Sequence, residues 1–316
     1  MASEQAIALR GLTKDHGGGR GVFELDLEVN PGEVFGFLGP NGAGKTTTIR
    51  TVMGSLKPTR GEARVFGLDC VERSVDVKKL VGFLPGELPQ FDALRGDEVV
   101  GYLGALRGGV ERARVASLSE RLELDLGRPY REYSRGNKQK LGLVVAMMHR
   151  PRLLILDEPT GGLDPLKQQT FNELVLEAKR EGTTVFLSSH VLSEVEHTCD
   201  RFAIIRAGRL ARVGDLADLR AMRAFRVEFE LEPSAAPVLT LEALRACPGV
   251  DAVRLEQSRV RCLVREDFSS LLALLATQRV RNFTSAQPSL EELFLTFYDR
   301  EGAPSPATRA PAEARS

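Results

Sequence analysis

No stretch of this sequence approaches the run of about 18 apolar residues that a membrane-spanning helix needs. The opening Met1-Ala-Ser-Glu-Gln5 lacks a basic segment followed by an apolar one, so no signal peptide is expected. Cysteine is scarce. Cys70, Cys199, Cys247 and Cys262 are widely spaced and form no metal-binding pattern. Buried or free thiols in a reducing, cytosolic setting are the plain expectation. An excess of charge is also missing: Lys+Arg and Asp+Glu are both 43, for a formal net charge of zero. That balance gives no electrostatic case for nucleic acid or for direct binding to anionic lipid. Any membrane role must therefore come through a partner. What is present is 316 residues, 42% of them hydrophobic, enough for one large domain plus a small one, or for two medium ones.

The most informative stretch is Gly39-Pro40-Asn41-Gly42-Ala43-Gly44-Lys45-Thr46-Thr47, which fits G-x-x-x-x-G-K-[ST]. A strand-like run, Glu33 to Leu38, precedes it, and a helix-compatible run, Thr47 to Met53, follows it. The glycines let the backbone approach a phosphate with no Cβ in the way. The loop N–H groups form an anion-binding concavity, to which the following helix adds its positive end. Lys45 is expected to reach the β- and γ-phosphates, and the Thr46 hydroxyl to ligate Mg²⁺.

Before this loop, Ile7–Leu12 and Phe23–Val29 read as strands around a glycine-rich turn, and Asn30–Glu33 as a turn. After it come a turn at Pro58–Gly61, a strand at Glu62–Phe66, and a run Lys78–Leu84 that breaks at Pro85-Gly86-Glu87. Val100, Leu103 and Leu106 recur at helical spacing, so a mostly helical insert is expected from about 88 to 148. Leu153 to Leu156 then lead into Asp157 and Glu158, an apolar run of the kind a buried parallel strand shows. Ligands in open α/β sheets bind at the carboxyl ends of strands. Asp157 is therefore expected to hold Mg²⁺, directly or through water, and Glu158 to polarise an attacking water. After a helix, Leu166–Arg180, the strand Thr183–Ser189 ends in His190, which falls on the same rim. His149 and His197 read as ordinary surface or core residues. Ala203–Leu210 reads as a hairpin-like pair and Asp215–Met222 as a short closing helix.

Residues 6–222 together resemble the ATP-binding subunit of an ABC transporter. Gly39–Thr47 matches the family's Walker A, Leu153–Glu158 its Walker B, Gly162-Leu163-Asp164 its D-loop, and His190 its switch histidine. Tyr133-Ser134-Arg135-Gly136-Asn137 aligns with the signature, usually Leu-Ser-Gly-Gly-Gln. A GTPase would need Asn-Lys-x-Asp, and Asn137-Lys138-Gln139-Lys140 lacks the acid. The resemblance implies a P-loop NTPase α/β fold with an antiparallel β subdomain and a helical insert. It implies a catalytic or γ-phosphate-sensing role for His190 and an active ATPase using ATP and Mg²⁺, in which two copies pack head to tail. Ser134 and the Gly136 backbone of one copy would then contact the γ-phosphate held by the other, at the start of a helix Lys138–Met148. On its own, Ser134 reads equally as an ordinary helix cap. The implied setting is the cytoplasmic face of a membrane, reached only through separate permease subunits.

Three positions depart from the family pattern. His16 stands where an aromatic residue commonly stacks on adenine. Two readings are open: a base contact weaker than the roughly 1–3 kcal/mol of larger aromatics, or a surface loop residue. Gly86 occupies the place of the Q-loop glutamine, with Glu87 and Gln90 as the nearby stand-ins. Arg135 replaces the first signature glycine, its charge either turned away or helping to neutralise phosphate, and Asn137 replaces the final glutamine.

From residue 223 the period changes. Phe225–Leu231, Val250–Leu255, Val260–Val264 and Val280–Ser285 read as strands, and Leu241–Ala246 and Phe268–Gln278 as helices. The order βαββαβ suggests a ferredoxin-like α+β domain over about 223–300. Ser289-Leu-Glu-Glu292 is a capping box opening a final helix, Leu290–Tyr298. That ending resembles cassette subunits of ABC-2 type exporters, which include drug and antibiotic exporters. The domain carries no catalytic constellation and reads as regulatory, as a dimer or partner contact, or as a structural appendage. Residues 301–316 are rich in Pro, Ala and Arg, and disorder is expected there.

Overall fold

Three strands are buried at every position: β3 (Val34–Leu38), β7 (Leu153–Asp157) and β8 (Thr184–Ser189). A strand with both faces covered cannot alternate polar and apolar residues, and these do not. The structure is a computed structural model that describes residues 4–215, 217, 224–231, 240–265, 267–276 and 278–286. Within it the chain separates into two units, Met1–Leu219 and Arg220–Ser316.

In the larger unit, β3, β7 and β8 are joined by β6 (Val81–Leu84), β9 (Arg201–Arg206) and β10 (Arg209–Asp215) in the order β10-β9-β3-β8-β7-β6. All neighbours are parallel except the β9–β10 hairpin. Register decides where the chemistry lies. Leu38 pairs with Ser189, and Asp157 with Ser188. The segments that follow β3, β7 and β8 therefore leave the sheet side by side.

A second, antiparallel sheet comprises β1 (Ile7–Asp15), β2 (Gly21–Val29), β4 (Arg60–Val65) and β5 (Leu68–Asp69), in the order β2-β1-β4-β5. Its Leu9, Leu12 and Leu25 share one core with Phe35, Phe37 and Phe186 of the parallel sheet. α1 (Lys45–Val52) adds Ile49 and Val52 to that core.

The helical region contains α3 (Gly96–Ala105), α4 (Arg112–Arg121) and α5 (Arg135–Met147), with a 3-10 turn at Tyr130–Glu132. One helix was not expected: α2 (Ser74–Leu80) has seven residues and buries only Val77, too little to leave a periodic signal. The run Lys78–Leu84 accordingly divides between the end of α2 and β6. α6 (Pro165–Arg180) and α7 (Leu192–Glu196) flank β8 in sequence. Of the expected closing helix, Asp215 instead ends β10, and apart from residue 217 the rest lies outside the described residues.

The smaller unit runs β11 (Ala224–Leu231), α8 (Leu241–Ala246), β12 (Val250–Glu256), β13 (Arg259–Arg265), α9 (Ser269–Leu275) and β14 (Val280–Ala286). Its sheet is antiparallel in the order β12-β13-β11-β14, the split βαβ topology of ferredoxin-like domains. Val227 and Phe229 on β11 pack with Leu244, Cys262 and Leu271. The expected final helix Leu290–Tyr298 and the tail 301–316 lie outside the described residues. Among the described residues, no helix is long and apolar enough to cross a membrane.

Candidate functional site

The loop from β3 to α1 is shaped by its glycines. Gly44 caps α1 in a left-handed conformation, φ 113°, and a Cβ there would lie 2.6 Å from Val22 Cγ1. α1 has no side-chain cap and no acidic residue in its first turn, so the N–H groups of that turn are left to an anion. Lys45 is buried, 6% exposed, and its direction is fixed. Its Nζ donates to Gly39 O at 2.5 Å and Pro40 O at 3.3 Å, and pairs with Glu158 Oε1 at 3.1 Å.

At the end of β7, Asp157 is 1% exposed. Its Oδ2 accepts from the Thr46 hydroxyl at 2.9 Å and its Oδ1 from the Ser188 hydroxyl at 2.6 Å. Glu158 then turns into the left-handed region, φ 52°, a conformation that costs a non-glycine residue on the order of 1 kcal/mol or more. The neighbourhood holds it there. Its N–H meets Ser188 Oγ at 3.2 Å, and its carbonyl accepts from Gln139 Nε2 at 3.2 Å and from the Gly161 N–H at 3.3 Å. The turn aims the carboxylate across the rim, where Oε1 meets Lys45 and Oε2 lies 2.6 Å from His190 Nδ1.

These groups line a cleft of about 520 Å³ that includes Asn41, Thr46, Gly86, Arg135, Glu158 and His190. The structure thus brings Gly39–Thr47, Asp157, Glu158 and His190 together. Ser134, Gly136 and Asp164 are placed elsewhere. Ser134 caps α5, its Oγ accepting from Asn137 N at 3.2 Å. Gly136 backs onto the Gly162 carbonyl, where a Cβ would lie 2.6 Å from the oxygen. Asp164 caps α6, its Oδ1 accepting from Lys167 N at 3.0 Å. Their neighbours Tyr133, Arg135 and Gly161 do reach the cleft.

The departures resolve unevenly. His16 is exposed in a loop closed by its N–H on Arg20 O at 2.9 Å. A Cβ at Gly86 would lie 3.2 Å from Asp157 Oδ2, so this position does border the metal-binding carboxylate expected here. Neither neighbour stands in for a glutamine: Glu87 is 94% exposed and 4.0 Å from Arg50, and Gln90 is exposed and does not line the cleft. Arg135 runs along the backbone of Gly162, whose Cβ would lie 3.3 Å from the arginine Cγ. The supporting residues Gln139 and Ser188 carried no sequence signal beyond the two hydroxyls, Ser188 and Ser189, that close an apolar strand.

Mg²⁺ suits these donors. It prefers oxygen ligands and usually takes one or two from the protein, with the rest from phosphate and water. Thr46 and Asp157 offer that pair, and no group of three His, Cys, Asp or Glu among the described residues offers an all-protein cage. Thiol chemistry is a poor match, since burial pushes Cys70, Cys199 and Cys262 up to about 12.

His149 lies away from the cleft and bears on stability. Burial, reinforced by the Arg107 guanidinium, pushes it down to about 4. The unfolded chain takes up this proton near 6.5 and the folded chain does not until about 4. The stability it contributes is therefore complete above pH 6.5 and is lost as pH falls toward 4, by up to about 1.4 kcal/mol per pH unit. His149→Leu is expected to flatten denaturant-measured stability across this window relative to the unaltered chain. Identical slopes in the two proteins would contradict this account of His149.

Comparison with known proteins places the chain. The family pattern described as ABC transporter matches residues 22–161. The bacitracin transport ATP-binding protein BcrA of Enterococcus faecalis is 35% identical over 77% of this chain and 80% of its own length. Mouse ATP-binding cassette sub-family A member 7 is 35% identical over 96% of this chain, which spans only 15% of that protein. A solved ATP-binding subunit of an ABC transporter superimposes with a TM-score of 0.63 at 29% identity, covering 68% of this chain and 92% of that one. A dimeric bacterial ABC transporter cassette, 22% identical, shares the fold with a TM-score of 0.61 over 66% of this chain and 98% of its own. The chain belongs to the ATP-binding proteins of ABC transporters, and its larger unit is an ABC-type ATPase.

Proposed function

We propose that this chain powers an ABC exporter by ATP-gated pairing of two copies, working at the cytoplasmic face of a membrane through separate permease subunits. The observation that carries the reading is the split between the two sets of site residues. Lys45, Thr46, Asp157, Glu158 and His190 converge on one rim. Ser134, at the start of α5, stands outside that group. A second copy supplies it, with the positive end of its α5 adding to anion binding.

In each cleft the loop N–H groups and Lys45 hold the phosphates. Thr46 and Asp157 would hold Mg²⁺, which when bound would supply positive charge against the phosphates. Glu158 accepts a proton from the attacking water, and His190, against its other oxygen, keeps the carboxylate aimed and senses the γ-phosphate. Likeness to the bacitracin transport protein favours a drug or antibiotic as cargo, and the sequence Ser289-Leu-Glu-Glu292, resembling ABC-2 type exporters, favours export.

Affinity purification of the chain from detergent-solubilised membranes tests the assignment. Recovery of a polytopic membrane protein in stoichiometric amount is the expected result. Recovery with ribosomes or DNA alone would defeat it in favour of a soluble ATP-driven switch.

A further inference from the structure

We infer that Glu194 is a positioning residue for the Glu158–His190 pair, an inference that rests on the catalytic reading given above. Glu158 and His190 follow the ends of the adjacent strands β7 and β8, and their side chains meet at 2.6 Å. A second bridge spans the same gap beside them. Glu194 on α7 accepts from the Thr160 hydroxyl on Oε1 and from the Ser189 hydroxyl on Oε2, each at 2.5 Å. Thr160 lies two residues after Glu158, and Ser189 immediately precedes His190. One carboxylate thus ties together the segments that carry both members of the pair.

The bridge is anchored and its targets need it. Val195, next to Glu194, is fully buried and packs on the sheet at Gly36, where a Cβ would lie 2.4 Å from Val195 Cγ1. The Glu194 carbonyl accepts from the Thr198 hydroxyl at 3.1 Å, which fixes the same turn. Ser189 Oγ also accepts from the Val191 N–H at 2.9 Å, so the hydroxyl held by Glu194 closes the turn that presents His190. The His190 side chain is 54% exposed and meets Glu158 through Nδ1, so its aim depends on that turn. Glu158 sits at φ 52°, a conformation that persists only where surrounding contacts enforce it. Glu194 does not face the cleft and touches no reacting atom. It acts through backbone placement, and a displacement of about 1 Å at a reacting group can cost roughly 10²-fold in rate.

Steady-state ATP turnover and ATP affinity of the full-length chain test this, with Glu194→Ala, Glu194→Gln and Thr160→Val. Glu194→Ala is expected to lower kcat roughly 10- to 100-fold with ATP Kd within about twofold of the unaltered chain. Glu194→Gln, which keeps a hydrogen-bonding head, and Thr160→Val, which cuts one arm, are expected to lose less, about 3- to 10-fold, and keep the test open should the alanine variant not fold. In a Glu158→Gln background Glu194→Ala should cost no more than about a further twofold, because the group it positions is already disabled. A full, additive loss in that background, a matching loss of ATP affinity, or unchanged kcat overturns the inference. If Glu158→Gln itself keeps normal turnover, the catalytic reading falls and this inference falls with it. If Glu158→Gln is inactive and Glu194→Ala is normal, only this inference falls.

Discussion

Glu158→Gln is expected to lower ATP turnover by roughly 10²–10⁴-fold while ATP affinity stays close to that of the unaltered chain. The substitution keeps the shape and removes the base. Glu158 Oε1 meets Lys45 and Oε2 meets His190, and an amide can occupy both places. The left-handed backbone at 158 is held by Ser188, Gln139 and Gly161, none of which the substitution alters. Thr46 and Asp157 remain bonded to each other at 2.9 Å, so the residues assigned to Mg²⁺ remain. What is lost is the capacity to take a proton from water. Turnover measured by phosphate release, alongside equilibrium nucleotide binding, separates the two effects. A variant with near-normal turnover would remove Glu158 from the role of general base.

Lys45→Ala is expected to produce the opposite signature: nucleotide binding itself weakens. The Lys45 ammonium is 6% exposed and held by the carbonyls of Gly39 and Pro40, so it is preset toward the loop and not drawn in from solvent. Hydrogen bonds to charged groups contribute about 1.5–3 kcal/mol, so ATP affinity should fall roughly 10- to 100-fold. Lys45→Arg should not restore it, because a planar guanidinium does not fit a seat shaped for a compact ammonium. Calorimetric titration with ATP reads both variants. Normal affinity in Lys45→Ala would mean that the loop holds phosphate by backbone N–H groups alone.

Much of the cleft could be read along the chain because its parts are contiguous and their surroundings are plain. The loop 39–47 carries its own geometry in its glycines, and the apolar strands before Asp157 and His190 place both at strand ends. Register then did what sequence spacing suggested but could not prove, pairing Asp157 with Ser188 and Leu38 with Ser189. The residues that steady the cleft were illegible for a physical reason. Gln139 reaches Pro159 across 20 positions, Ser188 reaches Asp157 across 31, and Glu194 reaches Thr160 across 34. Such contacts exist only once the sheet has formed. α2 escaped because a helix of seven residues with one buried side chain has no period to detect. Ser134 shows a different limit: as helix cap and as phosphate contact it would present the same residue in the same sequence, and only a second copy separates the roles.

The claim that the cleft is half of a site is tested most directly by the mass of the Glu158→Gln chain in solution, measured by light scattering with and without ATP and Mg²⁺. The account predicts that ATP doubles the mass, with one nucleotide bound per chain, and that nucleotide removal halves it again. A chain that binds one ATP and stays monomeric would contradict the account, since every group needed to hold the nucleotide would then come from a single copy.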